Sequence, residues 1–405
     1  MKRFFCALLT AACVTTVLWT THAQAGIGPS PTIRIGVSGP FTGGSSPLGE
    51  SMRNGVRLAI DEINYIGGIN GQQFELVERD DQASVPLGAK IADEFVREKV
   101  TAVIGIVNTG VGLASIDAYQ KATLPLLVAV STGTALTRKF APPKVPENYI
   151  FRISPTLDLE AQALVIELKR RKIVAVSFMA DATPYGDAGA LAFREECRLA
   201  GIVLRSDERF KVGDTDMHKQ VARAAHSGGQ ALVVWGIGPE LAVIARNKAA
   251  AGWTVPLLGS WTFASRNFID GAGPAGEGVL MPQTFIQDLG STTKNGFLLA
   301  YRRMFKTELI ASPMSAAQGY DGMHLLYRAI RQANSGDGSR IRVALENLQS
   351  RYQGVITSYS KPYSASDHDA ITLNMVWIGR IVDGRVDYSN KEDQRRDALL
   401  RLKKP

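Results

Sequence analysis

The sequence predicts two doubly wound α/β lobes joined by a hinge, and three observations lead there. At 405 residues the chain is long enough for two domains that each bury a core. From residue 33 onward, short β-branched runs alternate with amphipathic stretches, the pattern of a parallel sheet with helices on both faces. The alternation stops at a loop holding Pro142, Pro143 and Pro146, and then starts again.

In the first unit, residues 33–38, 74–78, 102–106 and 124–129 read as strands. Between them, residues 48–65 place Met52, Val56, Ala59, Ile60 and Ile63 at helical spacing and stop at Gly67-Gly68; residues 89–98 and 114–121 are also helical. The second unit repeats the pattern, with strands at 173–178, 202–204, 231–235 and 255–258 and helices at 186–200, 217–225 and 241–251. The last third begins no third unit. Residues 294–305, 315–333 and 341–348 read as helices, and 371–378 and 380–388 as two strands joined near Gly379, with another turn at Asp383-Gly384. These segments most simply complete the two lobes. The expected division is a leader at 1–25, a first lobe of 28–155 with 286–353, and a second lobe of 156–285 with 354–400. A chain that crosses between lobes about three times makes a hinge, and the cleft between hinged lobes is a favoured place for a small ligand.

The hydrophobic fraction of 45% and charged fraction of 21% are those of a globular protein. The net charge is +8, or +6 once Lys2 and Arg3 are removed, and its basic residues are scattered among acidic ones. With neither a basic stripe nor a recognition motif, nucleic-acid binding is not expected. Met1-Lys2-Arg3, an uncharged apolar run over 4–19 and the small-x-small site Ala23-Gln24-Ala25 read as a secretory signal peptide cleaved after Ala25, with a lipoprotein signal at Cys13 as the minor alternative. Cys6 and Cys13 fall in that leader, so the mature chain keeps Cys197 alone, in a helical pattern that suits a packed small side chain.

Enzymatic constellations are mostly missing from the sequence. His218, His226, His324 and His368 form no metal pair at helical ligand spacing, and there is no nucleophile elbow, P-loop or dinucleotide fingerprint. Asp367-His368-Asp369 lies in a Ser-rich stretch and reads as solvated turn residues in preference to a metal site. What remains is at the ends of predicted parallel strands: Gly39-Pro40-Phe41-Thr42-Gly43-Gly44, Val107-Asn108-Thr109-Gly110 and Val130-Ser131-Thr132-Gly133-Thr134. Ligands of open α/β sheets bind outside the carboxyl ends of the strands, where hydroxyls and helix-start N–H groups hold an anion. Helix capping uses the same residue types, so these loops read equally as caps or as a carboxylate site.

At these residues the chain resembles the branched-chain amino-acid binding proteins of bacterial ABC transporters, of the type I periplasmic binding fold. The matching stretches are Ile35-Gly36-Val37-Ser38-Gly39-Pro40-Phe41-Thr42-Gly43, Gly67-Gly68-Ile69-Asn70-Gly71, Asp80-Asp81, Val103-Ile104-Gly105 and Gly319-Tyr320-Asp321, within about 32–387. The resemblance implies a ligand carboxylate and amine held from the first lobe by Thr109, the Val130 backbone, Thr132 and the adjacent Ser131. It also implies Tyr185 from the second lobe and Asp158 near the crossover. One departure stands out. Where such binders place a carboxylate in the second lobe, this chain reads Gly259-Ser260-Trp261-Thr262. An indole offers a face and one N–H in place of an ion. The expectation is therefore that Trp261 lines the cleft and packs on the ligand, which favours an aromatic or other organic acid over a standard aliphatic amino acid; burial of Trp261 in its own lobe is the alternative.

The resemblance implies a small-molecule ligand, a membrane permease as partner, a monomer in the periplasm, no catalysis and no cofactor. A ligand sensor that signals to a receptor, and an enzyme with unrecognised cleft chemistry, are the competing readings.

Overall fold

The computed structural model describes residues 32–288, 290–397 and 401–403. The leader, Cys6, Cys13 and the cleavage site lie outside the described residues.

The first lobe opens with β1 (Ile33–Gly39), α1 (Ser46–Tyr65), β2 (Phe74–Asp80), α2 (Val85–Arg97), β3 (Ala102–Gly105), α3 (Thr109–Lys121), β4 (Leu126–Val128), α4 (Ala135–Arg138) and β5 (Ile150–Arg152). The strands form a parallel sheet in the order β2-β1-β3-β4-β5. β3 and β4 are buried along their whole length, which is why their sequences are continuous apolar runs without alternation. α1 buries the stripe Met52, Val56, Ala59, Ile60 and Ile63. It stops because Gly67 and Gly68 turn to φ 96° and 65°, a region where a side chain at Gly68 would also meet the Gln72 carbonyl.

The chain then leaves this sheet. It builds α5 (Leu157–Arg170), β6 (Ala175–Asp181), α6 (Pro184–Ala200), β7 (Val203–Phe210), α7 (His218–His226), β8 (Leu232–Trp235), α8 (Glu240–Ala250), β9 (Leu257–Gly259), a 3-10 turn over Trp261–Ala264, α9 (Arg266–Ala272) and β10 (Leu280–Gln283). It returns through α10 (Thr292–Phe305), α11 (Pro313–Ala333) and α12 (Gly338–Glu346), with α10 and α11 packed on α1. A short hairpin, β11 (Tyr352–Gln353) and β12 (Ser358–Tyr359), follows, and the chain crosses back to add β13 (Trp377–Val382) and β14 (Arg385–Tyr388). The second sheet runs β14-β13-β10-β9-β8-β6-β7, parallel except for β13 and β14 at its edge. The result is two α/β lobes joined by three crossings, as the sequence predicts.

The Gly319-Tyr320-Asp321 stretch belongs to this framework. Asp321 on α11 is fully buried and accepts hydrogen bonds from the Tyr352 and Tyr359 hydroxyls and from the Val355 and Ile356 amides. It thereby pins the β11–β12 hairpin to the first lobe. Cys197 is buried in α6, as a packed side chain should be, and burial pushes its thiol up to about 12.

Several local readings need correction. Gly379 joins no two strands: it sits inside β13, paired with Met281 and Tyr388, and the hairpin turns at Asp383-Gly384. Residues 371–376 contain a 3-10 turn, Leu373–Met375, in place of a strand. The 367–369 stretch is not a solvated turn either. His368 is buried, stacks on Phe151 with ring centroids 3.9 Å apart, and its Nδ1 meets the Ile150 carbonyl at 2.9 Å. Asp369 takes the guanidinium of Arg152 at 2.9 and 2.7 Å. The edge strand β5 carries a buried arginine, and this stretch supplies its counter-charge.

Candidate functional site

The site sits where the carboxyl ends of the first sheet face α5, α6 and the turn after β9. Two first-lobe loops are tied to each other by backbone. After β3 the chain turns at Ile106, whose φ of 64° is costly for a β-branched residue. The Ile106 carbonyl then accepts the Val130 and Ser131 amides at 3.3 and 2.9 Å. Thr109, the first residue of α3, and Ser131 are both buried, with their hydroxyls 3.1 Å apart. No side chain caps α3, so its positive end is free to meet an anion. Thr132 is fully buried, and its hydroxyl has no protein partner. Its carbonyl takes the Leu157 amide and Arg152 Nη1, which fixes the loop against the start of α5.

The second lobe presents Tyr185 and Trp261. Tyr185 lies in the first turn of α6, 4% exposed, with its ring tilted on Trp235 and its hydroxyl unpaired. Trp261 is 2% exposed, and its Nε1 is likewise unpaired. Its carbonyl is held by Gln283 Nε2 at 2.9 Å.

Sequence reasoning missed one residue here. Glu160, on the first turns of α5, is fully buried. Its Oε2 accepts the Trp261 amide at 3.3 Å, while Oε1 has no partner. Burial pushes this carboxyl up to about 8, opposed by the neighbouring Thr132 hydroxyl, the Trp261 amide and the charge of Arg152. Burial likewise raises the Tyr185 phenol, and the charge of Glu160 adds to it. From sequence, Glu160 is an acid in a helix's first turn, where acids are common for the dipole alone. Its only distinguishing signal is its place on the apolar face of α5, one position before Ala161.

Thr109, Val130, Ser131, Thr132, Tyr185 and Trp261 are thus all buried around one interface. The Val130 amide is already occupied by Ile106. Asp158 stands apart: it is partly exposed and pairs with Arg138 at 3.2 Å. The lobes also touch at the rim of the cleft. Asn267 Nδ2 donates to the Gly44 carbonyl at 2.8 Å, and Gly110 lies against Pro184. This is a closed arrangement. Chemically, the first lobe offers hydroxyls and a helix start suited to a carboxylate, and the second offers an indole N–H, a phenol and an acid. Among the described residues no cluster of His, Cys, Asp and Glu is placed to hold a metal ion. No described helix is long and apolar enough to cross a membrane.

Comparison with known proteins bears on the family and the fold. A family model described as a periplasmic binding protein matches residues 32–385. A Leu/Ile/Val-binding protein homolog 2 from Brucella abortus is 27% identical over 318 residues, covering 78% of this chain and 82% of its own. The crystal structure of a branched-chain amino acid transporter substrate-binding protein from Streptococcus pneumoniae, in complex with isoleucine, superposes with a TM-score of 0.77 at 24% identity, covering 88% of this chain and 98% of its own. A solute-binding protein of an ABC transporter from Rhodopseudomonas palustris, in complex with 3,4-dihydroxybenzoic acid, does so with a TM-score of 0.75 at 20% identity, covering 88% and 95%.

Proposed function

The chain belongs to the periplasmic binding protein family, and from that premise we propose that it captures a small carboxylate-bearing ligand between its lobes and hands it to the permease of an ABC transporter. One observation carries the reading. Four polar atoms drawn from both lobes, Thr132 Oγ1, Glu160 Oε1, Tyr185 OH and Trp261 Nε1, are buried at one interface with no partner in the protein. Buried polar groups are nearly always paired, so a shared set of orphans calls for a molecule between them. The hydroxyls of Thr109, Ser131 and Thr132 and the uncapped start of α3 suit its carboxylate. Isoleucine and a dihydroxybenzoic acid both sit in proteins of this fold, so the fold by itself leaves the ligand's other end open.

Ligand stabilises the closed form, and the permease reads that form. The leader ending at Ala25 directs export, so the working protein starts near Gly26 in the periplasm as a monomer. It performs no chemistry on its ligand. A thermal-shift panel of amino acids and aromatic and aliphatic acids tests the reading, since a ligand that binds only the folded state raises the melting temperature. A panel in which no carboxylate shifts the melt overturns it. Intact-mass measurement of exported protein tests the start site, and a lipid on Cys13 would overturn that part.

A further inference from the structure

We infer that the C-terminal tail at residues 401–403 is a strap across the hinge, which holds the two lobes in the closed arrangement and resists their opening. Such a strap acts whatever molecule the cleft takes.

The third crossing leaves the β11–β12 hairpin, which is pinned to the first lobe, and enters β13 of the second sheet. Its first-lobe end is fixed, because the Ile356 amide donates to Asp321 Oδ2 on α11 at 2.9 Å. Its second-lobe end is fixed too: Met375 closes the 3-10 turn that packs on α5, and Trp377 begins β13. Arg401 grips both ends. Its Nη2 donates to the Ile356 carbonyl at 2.7 Å and its Nη1 to the Met375 carbonyl at 3.3 Å, while the guanidinium lies over the Trp377 ring, 4.6 Å from the centroid. The Thr357 hydroxyl donates to the Arg401 carbonyl at 3.0 Å, and Asn374 Nδ2 to the Leu402 carbonyl at 3.1 Å. Lys403 takes the middle of the crossing. Its Nζ donates to the Pro362 carbonyl at 2.8 Å, to the Asp369 carbonyl, and to the Asp367 carboxylate at 2.7 Å.

A guanidinium is a rigid planar fork. Its two ends can reach two carbonyls only while those carbonyls keep one separation. Ile356 moves with the first lobe and Met375 with the second, so rotation about the hinge changes that separation and costs one of the bonds. The lobes are closed where these bonds are made, as the Asn267 contact with the Gly44 carbonyl at 2.8 Å records. Bonds made in one state and lost in the other shift the equilibrium toward the first by their difference in strength. Those of Arg401 and Lys403 are charge-assisted, the strong kind, and the Lys403 side chain is only 15% exposed, which limits competition from water.

The test uses the mature protein without ligand, carrying spin labels at Lys90→Cys and Val212→Cys, exposed positions on α2 of the first lobe and after β7 of the second. Cys197 is buried and should take no label. Double electron–electron resonance then reads the separation of the lobes. Arg401→Ala should raise the ratio of open to closed separations about tenfold. Arg401→Lys keeps the charge over Trp377 but has no fork to bridge two carbonyls, so it should open nearly as far while its melt stays close to that of the wild type. Lys403→Ala should shift the ratio less and in the same direction, and it stands as a test even if Arg401→Ala does not fold. Folded variants with the separations of the wild type overturn the inference. So does a lowered melt without any change in separation, which would make the tail an anchor of the second lobe alone. An Arg401→Lys protein as closed as the wild type overturns the two-carbonyl grip, and shorter separations would mean that the tail props the cleft open.

Discussion

Arg152 Nη2 and Asp369 Oδ1 meet at 2.7 Å, and the arginine side chain is completely buried. The pair joins the edge strand of the first sheet to the segment that crosses to the second lobe. The same guanidinium holds the carbonyls of Thr132 and Gly133. One ion pair thus links the third hinge crossing to the loop of Thr132 and Gly133 at the candidate site.

Asp369→Ala should be among the most damaging single changes outside the cores. It leaves a buried guanidinium without its counter-ion, and breaking such a pair costs about 3–5 kcal/mol. Asp369→Asn keeps an acceptor and should lose less. Urea unfolding of the three proteins checks the order. Equal stability of Asp369→Ala and wild type would show that water replaces the carboxylate at no cost.

Thr132 and Thr109 should separate binding from stability. The Thr132 hydroxyl has no protein partner, so Thr132→Ala should leave the melt nearly unchanged while weakening ligand roughly ten- to hundredfold. The Thr109 hydroxyl contacts Ser131, so Thr109→Ala should lose about 0.5–1.5 kcal/mol of stability as well as affinity. A Thr132→Ala protein that is destabilised yet binds normally would mark Thr132 as a cap.

How much of this was legible in the sequence depends on length and burial. β3, β4 and β8 stand out because a buried parallel strand is an unbroken apolar run. β5 and β10 do not, since one is three residues ending in an arginine and the other carries Pro282. The cleft loops were legible from strand ends and small polar residues. Glu160 and Asp369 were not, because nothing local distinguishes an acid that a helix start or a turn would carry anyway from one that tertiary packing buries. Trp261 showed itself only as the wrong residue type at an informative position.

The pH dependence of ligand-free stability should follow Glu160. Its folded value of about 8 lies above its ordinary 4.5, so between these limits the unfolded chain has released a proton that the folded chain keeps. The unfolded state binds fewer protons there, and stability falls as pH rises through that window. Asp81, raised to about 6 by burial, adds to the fall at the acidic end. Melting temperature should therefore decline from pH 5 to pH 8, and Glu160→Gln should flatten the curve and be the more stable protein at pH 8. A wild-type melt that is constant or rises over this range would show Glu160 ionised in the folded state.

The last prediction concerns the indole of Trp261. Its ring is enclosed, its N–H is unpaired, and its backbone is held at both ends, by Glu160 on the amide and by Gln283 on the carbonyl. A side chain fixed in this way, with one donor left over, is suited to meet the ligand with that donor and to pack on its apolar part. Ligand should then change the intrinsic fluorescence, and Trp261→Phe should remove most of the change. Trp235, packed against Tyr185, is the neighbour that makes this variant necessary, because it too can report closure. Trp261→Phe keeps a ring and loses the N–H, so affinity should fall by roughly three- to tenfold, the worth of one neutral hydrogen bond. Trp261→Ala loses the packing as well and should fall further. If Trp261→Phe keeps both the affinity and the fluorescence change of the wild type, the indole belongs to the core of its own lobe and the ligand's apolar end lies elsewhere in the cleft.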